Sequence, residues 1–385
     1  MSSSTTVHGS VAPGFEAVRA EFAAVAAADP GSGGSQLAAR LDGRPVVDLW
    51  TGEGMTGSSL LALYSSAKGA AHLVVALLVQ EGVLDLDEEV ARDWPEFAAE
   101  GKAGITLRQM LEHRAGLIGV DGGFSTGELA DDRRLAARLA RQKPYWEPGT
   151  AYGYHAFVIA ALTGEVVRRR TGRSIQECYE ERIRAPFGLD FHFGLPAGLE
   201  PRYLPVLAAR PTPEQQAAAG PAPAPDSLTG IAFNLNATPP TDLVEFAGTR
   251  AVHALGPASA GGFGNARGLA ALYAAAAFGL DGRPPLLTPE TVAEFGPVRT
   301  AGVDLVTGER DHFGLGFEAQ SSRYPFLGPD AFGHSGAVGA QSFADPRSGV
   351  AYGYTRRSFS PGGGGGAPEN HRLAAAVLRA AEAVR

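Results

Sequence analysis

The chain is expected to be an α+β protein, an α/β sandwich in which helices flank an antiparallel sheet and a mostly helical lobe is inserted. Three observations point to this class. A strand–turn–strand pattern over 36–50 stands ahead of a long apolar helix that opens at Ser65. The stretch from 84 to 184 reads largely as helices. Short strand-like runs return only from residue 313 onward. The first and last segments then share one sheet. The expected organisation is a flexible tail over 1–12 and a single domain over 13–385, with an α/β lobe at about 13–75 and 255–385 and a helical lobe at about 76–254. A cleft between the lobes is the natural place for a site.

Taken in order, residues 15–27 space Ala, Val and Phe at helical intervals and run into a Gly/Ser turn at 29–35. Residues 36–41 and 44–50 are strands around the tight turn Asp42-Gly43. The helix from Ser65 to about Gln80 is apolar nearly all round, as helices at the centre of a domain are. A short helix is expected over 84–90, closing at 94–97. Thr106 caps a helix over 107–112. A Gly-rich loop at 118–130 leads into a charged amphipathic helix at 129–141. Helices follow at 156–171, stopped by Gly172, and at 174–184, with Ser174 and Glu177 as a capping box and Pro186 as the stop. The Pro/Ala-rich run 205–241 reads as a loop or lid. Gly261-Gly262-Phe263-Gly264 reads as a turn and 268–279 as a helix. Strands are expected at 313–318, 331–333, 341–344 and 350–354, a flexible connection at 362–366, and a closing helix at 371–385.

Composition narrows the function. Hydrophobic residues make up 44% and charged residues 19%, which is globular rather than disordered. A net charge of −8 argues against nucleic acid and anionic membranes as partners. Cys178 is the single cysteine, so no internal disulfide forms and a reducing compartment is expected. No signal peptide or membrane-length apolar run is read, and the expected location is the cytoplasm. No metal or other cofactor is expected: there is no H-E-x-x-H, no cysteine pair and no P-loop, and the nine histidines are scattered.

The chemistry is expected around Ser65-Ser66-Ala67-Lys68. This S-x-x-K spacing puts a hydroxyl and an amine one turn apart on a single helix face. A buried neutral amine can act as the base that a weak hydroxyl nucleophile needs. The chain has only three lysines, so a serine three residues ahead of one is a rare coincidence. Tyr154, in the run from Pro148-Gly149 to His155, is a second candidate; a nearby lysine cation could favour its phenolate. Tyr152 is its rival, and Tyr152 and His155 are further candidates to face substrate. Phe332-Gly333-His334-Ser335-Gly336-Ala337 is a third element, whose small residues let substrate approach backbone N–H groups. His334, Ser335 and Gly336 are expected to touch substrate. Gly123-Phe124-Ser125-Thr126-Gly127 matches G-x-S-x-G but lacks the strand before it, so Ser125 is read as a decoy.

These three elements, in this order, resemble the serine β-lactamase and penicillin-binding-protein superfamily, above all class C β-lactamases and the family VIII carboxylesterases. Gly82-Val83-Leu84-Asp85-Leu86-Asp87 and Leu111-Glu112-His113-Arg114-Ala115-Gly116-Leu117 carry the likeness further, and it runs from about residue 15 to the terminal helix. The resemblance implies Ser65 as nucleophile, Lys68 as its activating partner and Tyr154 as a sharer of the proton work. By the same likeness, the N–H groups of Ser65 and Ala337 would form the oxyanion hole. Two departures stand out. Ala156 replaces the asparagine of Tyr-x-Asn, and His334 stands where β-lactamases carry the lysine of K-T-G. Both weaken recognition of penicillins and peptides. The expected activity is hydrolysis of small or medium acyl esters through an acyl-enzyme. The alternatives are acyl transfer in secondary metabolism, hydrolysis of β-lactams or D-amino-acid peptides, and a non-catalytic binding module of this fold. The expected partner is a small-molecule ester alone.

Overall fold

The computed structural model describes residues 6–218, 220–361 and 365–385. Ten strands occur among the described residues: β1 (His8–Val11), β2 (Ser35–Leu41), β3 (Arg44–Thr51), β4 (Leu61–Tyr64), β5 (Phe191–Phe193), β6 (Gly262–Gly264), β7 (Glu318–Ala319), β8 (Phe332–Ser335), β9 (Gln341–Asp345) and β10 (Val350–Arg356). Seven of them form one antiparallel sheet in the order β1-β3-β2-β10-β9-β8-β7. The strands from the start of the chain thus pair with those from its end. The other three form a small sheet, β4-β6-β5.

Helices α1 (Glu16–Ala28), α2 (Ser66–Gln80), α3 (Ile159–Thr171), α4 (Ala266–Ala277) and α5 (Glu369–Ala383) frame the site. One face of the large sheet buries Leu37, Leu49, Phe343 and Tyr352 against Phe15, Val18 and Phe22 of the α1 region and Leu373 and Val377 of α5. The other face takes α4. Gly353 of β10 makes that approach possible, because a Cβ there would lie 2.5 Å from the Ala266 carbonyl and 2.7 Å from the Ala270 nitrogen. Behind it runs α2, with every residue from Ser66 to Leu78 buried, so α2 lies at the centre of the larger core.

Several expectations need correction. Part of the supposed tail is β1, paired with β3 from His8↔Trp50 to Val11↔Val47. It is held by backbone bonds at a sheet edge, and its exposed side chains give no amphipathic signal. Residues 1–5 lie outside the described residues. The stretch 84–90 forms turns, with Glu89 bridging to Thr106 and a 3-10 turn at Val90–Arg92. Gly262–Gly264 is a strand, not a turn: its glycines leave no side-chain pattern to read, yet a Cβ on Gly262 would meet Phe191 at 2.9 Å and Ala67 at 3.1 Å. Of the expected 313–318 strand only Glu318 lies in one, the two-residue Glu318–Ala319, because Gly316, at φ +75, turns the chain just before it. The helix begun at Ile175 continues past Arg184 through a π-type turn, and Gly188 in the left-handed region ends it rather than Pro186. Short helices at Pro213–Ala218 and Leu228–Ala232 punctuate the 205–241 segment. Of the connection expected at 362–366, residues 362–364 lie outside the described residues.

Candidate active site

The site is built where β4 turns directly into α2. Tyr64, the last residue of β4, sits at φ +47, a conformation that costs a bulky residue strain. Its hydroxyl donates to the Leu243 carbonyl at 2.8 Å, which helps hold the turn. Ser65 follows at the helix start, and its hydroxyl does not cap the helix. Instead Ser65 Oγ lies 3.0 Å from Lys68 Nζ and accepts a hydrogen bond from the Tyr154 hydroxyl at 2.8 Å. Lys68 Nζ also donates to the Ser259 carbonyl at 2.9 Å. Ser259 Oγ in turn accepts from the Ala160 N–H at 2.9 Å, tying α3 to the same point. Ser65, Tyr154, Ser335 and Ala337 all line one cavity of about 500 Å³.

Burial sets the charge states. Lys68 is fully buried, and desolvation pushes its amine well below the usual ammonium range, with Glu318 opposing only in part. Desolvation pushes the Tyr154 phenol up, against the hydrogen bond to Ser65 and with Glu318 and Asp304 adding to the rise. The phenolate favoured by a lysine cation is therefore not the state this environment supports. The amine sheds its proton more readily than usual, and the phenol keeps its own.

The structure separates the remaining candidates. Ser335 and Ala337 face the cavity. Gly336 faces the backbone ahead of the nucleophile: a Cβ there would lie 2.2 Å from the Leu63 carbonyl oxygen. His334 is fully buried and is not part of the cavity wall. Its Nδ1 lies 2.8 Å from the Ser335 carbonyl and 3.4 Å from Glu318, and burial lowers its pKa to about 4. Tyr152 and His155 do not line the cavity either. The Tyr152 hydroxyl donates to the Gly302 carbonyl at 2.8 Å and accepts from the Asp311 N–H at 3.1 Å, anchoring that loop. His155 accepts from the Leu117 N–H at Nε2 (3.1 Å), and its Nδ1 lies 2.7 Å from the Gly153 carbonyl. Both side chains are engaged in internal bonds that their position in the motif could not reveal. Ser125 is an exposed helix cap, reciprocally bonded with Glu128.

Sequence reasoning missed a polar wall made by Glu309, His312, Glu318 and Arg323. It also missed Asp304, whose carboxylate accepts from the N–H groups of Tyr154 (3.1 Å), Val306 (2.8 Å) and Thr307 (2.9 Å) and so fixes Tyr154 against the cavity rim. None of these lies in a recognisable local pattern. Glu318 could have been suspected only from the register Glu318↔Gly333, which sets it beside His334. The cavity also has an apolar lining, with Pro223, Phe233, Leu235, Leu243, Phe313 and Phe359. Four residues of the 205–241 segment, Pro223, Thr229, Phe233 and Leu235, thus help to close the cavity. Among the described residues, no group of three or more His, Cys, Asp or Glu is placed to hold a metal ion, and no helix is long and apolar enough to cross a membrane.

A serine, a buried lysine and a tyrosine meeting at a strand-to-helix turn beside an antiparallel sheet define an enzyme of the serine β-lactamase superfamily. The chain belongs to the Beta-lactamase family, which it matches over residues 20–376. It is similar to EstA from Arthrobacter nitroguajacolicus Rue61a, at 40% identity and a TM-score of 0.89, covering 97% of this chain and 98% of that one. A family VIII carboxylesterase of known structure is 34% identical, with a TM-score of 0.85 and coverage of 97% and 100%. The esterase/beta-lactamase LipL of Mycobacterium tuberculosis is 29% identical over 90% of this chain and 82% of its own length.

Proposed function

We propose that this chain is a serine carboxylic ester hydrolase acting through an acyl-enzyme on Ser65. One observation carries the reading: a single hydroxyl, open to a cavity, lies 3.0 Å from a buried amine and 2.8 Å from a phenol. Two relatives named as an esterase and a carboxylesterase support the substrate class.

The hydrogen-bond partners and the burial of the amine support the following roles. Lys68 in its neutral form gives one N–H to the Ser259 carbonyl and keeps a lone pair for the Ser65 proton. The Tyr154 hydroxyl already points its hydrogen at Ser65 Oγ, so it is placed to pass a proton onward rather than to take the first one. Ser65 Oγ attacks the ester carbonyl carbon as its proton moves to Lys68. The N–H groups of Ser65 and Ala337 hold the resulting oxyanion. The carbon–oxygen bond to the alcohol breaks as Tyr154 protonates that oxygen, and Lys68 returns the proton to Tyr154. Water then repeats the sequence on the acyl-enzyme.

Labelling with a p-nitrophenyl phosphonate followed by mass spectrometry tests this. The adduct is expected on Ser65, and Ser65→Ala is expected to lose both the label and turnover of p-nitrophenyl esters. An adduct on Ser125, or full activity in Ser65→Ala, would overturn the assignment. The apolar wall and its cover from the 205–241 segment favour acyl transfer as a second reading, because both restrict water at the acyl-enzyme. Ester product appearing on addition of an acceptor alcohol distinguishes it.

A further inference from the structure

We propose that the polar wall of this cavity, built around Glu318, selects against negatively charged substrates and favours neutral or cationic esters. The inference rests on reading the cavity as the ester-hydrolysing site.

Besides Tyr154, whose phenol stays neutral, four charged or titratable side chains among the described residues face the cavity: Glu309, His312, Glu318 and Arg323. Arg323 is the guanidinium among them, and one of its nitrogens is shared with Glu309 and His312. Its Nη2 lies 3.0 and 3.2 Å from the two Glu309 oxygens and 3.4 Å from His312 Nε2. His312 Nε2 is also held, 3.2 Å from Glu309 and 3.8 Å from Glu318. Glu318 takes its hydrogen bonds from neutral donors: the Ser335 hydroxyl, the Ser335 N–H at 3.2 Å and Gln320 Nε2 at 3.2 Å. With two carboxylates against one guanidinium, the wall carries net negative charge when His312 is neutral. With both carboxylates ionised, it reaches zero when His312 is charged and goes no higher.

The serine of the third motif is changed by this arrangement. Its hydrogen points at Glu318, so toward the cavity Ser335 Oγ can offer only lone pairs. A carboxylate entering here meets a guanidinium already shared with Glu309 and His312 and a Ser335 hydroxyl turned toward Glu318, and it leaves water beside Glu318. An ammonium group finds acceptors. Like charges brought together in a partly desolvated cavity repel strongly enough to cost about tenfold or more in relative rate.

Two matched ester series test this on the full chain. One carries the charge on the acyl end: p-nitrophenyl pentanoate, the p-nitrophenyl hemiester of butanedioic acid, and p-nitrophenyl 4-(trimethylammonio)butanoate. The other places carboxylate, hydrogen or trimethylammonium on the phenol of a butanoate ester. Rates are normalised to alkaline hydrolysis. The expected result is a kcat/KM for the anionic member at least about tenfold below the neutral one in one or both series, with the cationic member equal or better. Anionic esters processed as well as neutral ones in both series would overturn the proposal. Affinities of phenylboronic acids bearing the same three substituents, measured by calorimetry, give the same ranking without any ester turnover. Failure of every ester with this ranking intact would strike the hydrolase reading and leave the charge preference standing. Glu318→Gln is expected to narrow the anionic-to-neutral gap, and an unchanged gap in a folded variant would remove Glu318 from the explanation. If that variant does not fold, the wild-type rankings decide.

Discussion

Lys68 destabilises the fold that holds it. Burial drives its amine well below the usual 10.5, so unfolding at neutral pH lets it take up a proton. The unfolded chain binds more protons there, and this residue's contribution to stability therefore improves as pH rises toward 10.5 and is unfavourable at pH 7. Lys68→Met is expected to raise stability at pH 7, with the gain shrinking toward pH 10, while ester turnover falls by about 10²–10⁴. Urea unfolding across pH, paired with an esterase assay, checks both halves. A variant less stable than the parent at every pH would show that the bond to Ser259 outweighs the desolvation. Ser65 and Lys68 were legible because their relation is local, one turn of one helix. Tyr154 was legible as a residue but not in its protonation, since nothing in its own run shows how deeply folding would bury it. Glu318 was invisible for the complementary reason: its neighbours arrive from β8 through strand pairing.

At the scale of elements, the decisive approach is between the end of β8 and the chain just ahead of Ser65. Gly336 makes it possible, because a Cβ would stand 2.2 Å from a backbone oxygen and 3.0 Å from Ser66 Oγ. Backbone cannot step aside as a flexible side chain can. Gly336→Ala is expected to destabilise the fold by roughly 1–3 kcal/mol and to lower kcat by misplacing Ala337 relative to Ser65. Gly127 provides the control, being exposed in a helix with nothing within 4 Å of an added methyl. Gly127→Ala is expected to leave stability equal or slightly higher. Thermal melts and steady-state kinetics on the pair separate a specific steric effect from glycine replacement in general. The helices with strong caps were legible: Ser174 heads the expected capping box with Glu177, and Thr106 is the expected N-cap, its box completed by Gln109. The β6 strand was not, because three residues of Gly-Phe-Gly carry no alternation of side chains, and its place is fixed by what packs over it.

At the scale of the molecule, buried histidines set the response to acid. His72 is pushed down to about 3, His155 to about 4 and His334 to about 4, each by burial, and His113 is lowered well below 6.5 for the same reason. A histidine with a depressed folded pKa adds stability that is complete above its unfolded value of 6.5 and is lost as pH falls toward the folded value. Each such group steepens the loss by about 1.4 kcal/mol per pH unit while it stays neutral in the fold. Stability is therefore expected to fall sharply between about pH 6.5 and 4.5, as denaturant melts at half-unit steps would show. A flat profile over that interval would contradict the burial of these rings. The overall plan was legible from the hairpin at one end of the chain and the strands at the other, since both had recognisable patterns. The edge strand β1 was not, because its pairing is made by backbone groups that every sequence possesses.

The strand order β2-β10-β9 has a consequence for synthesis. Translated from the N-terminus, β2 has no neighbour on that side until residues 350–356 leave the ribosome. The nascent chain must carry more than three hundred residues while one hydrogen-bonding flank of its first hairpin stays bare, a long-range closure that slows folding and invites foreign strands. A product shortened before β10 would keep its serine, lysine and tyrosine yet lack the scaffold that aligns them, and should collect in inclusion bodies rather than as a partly active enzyme.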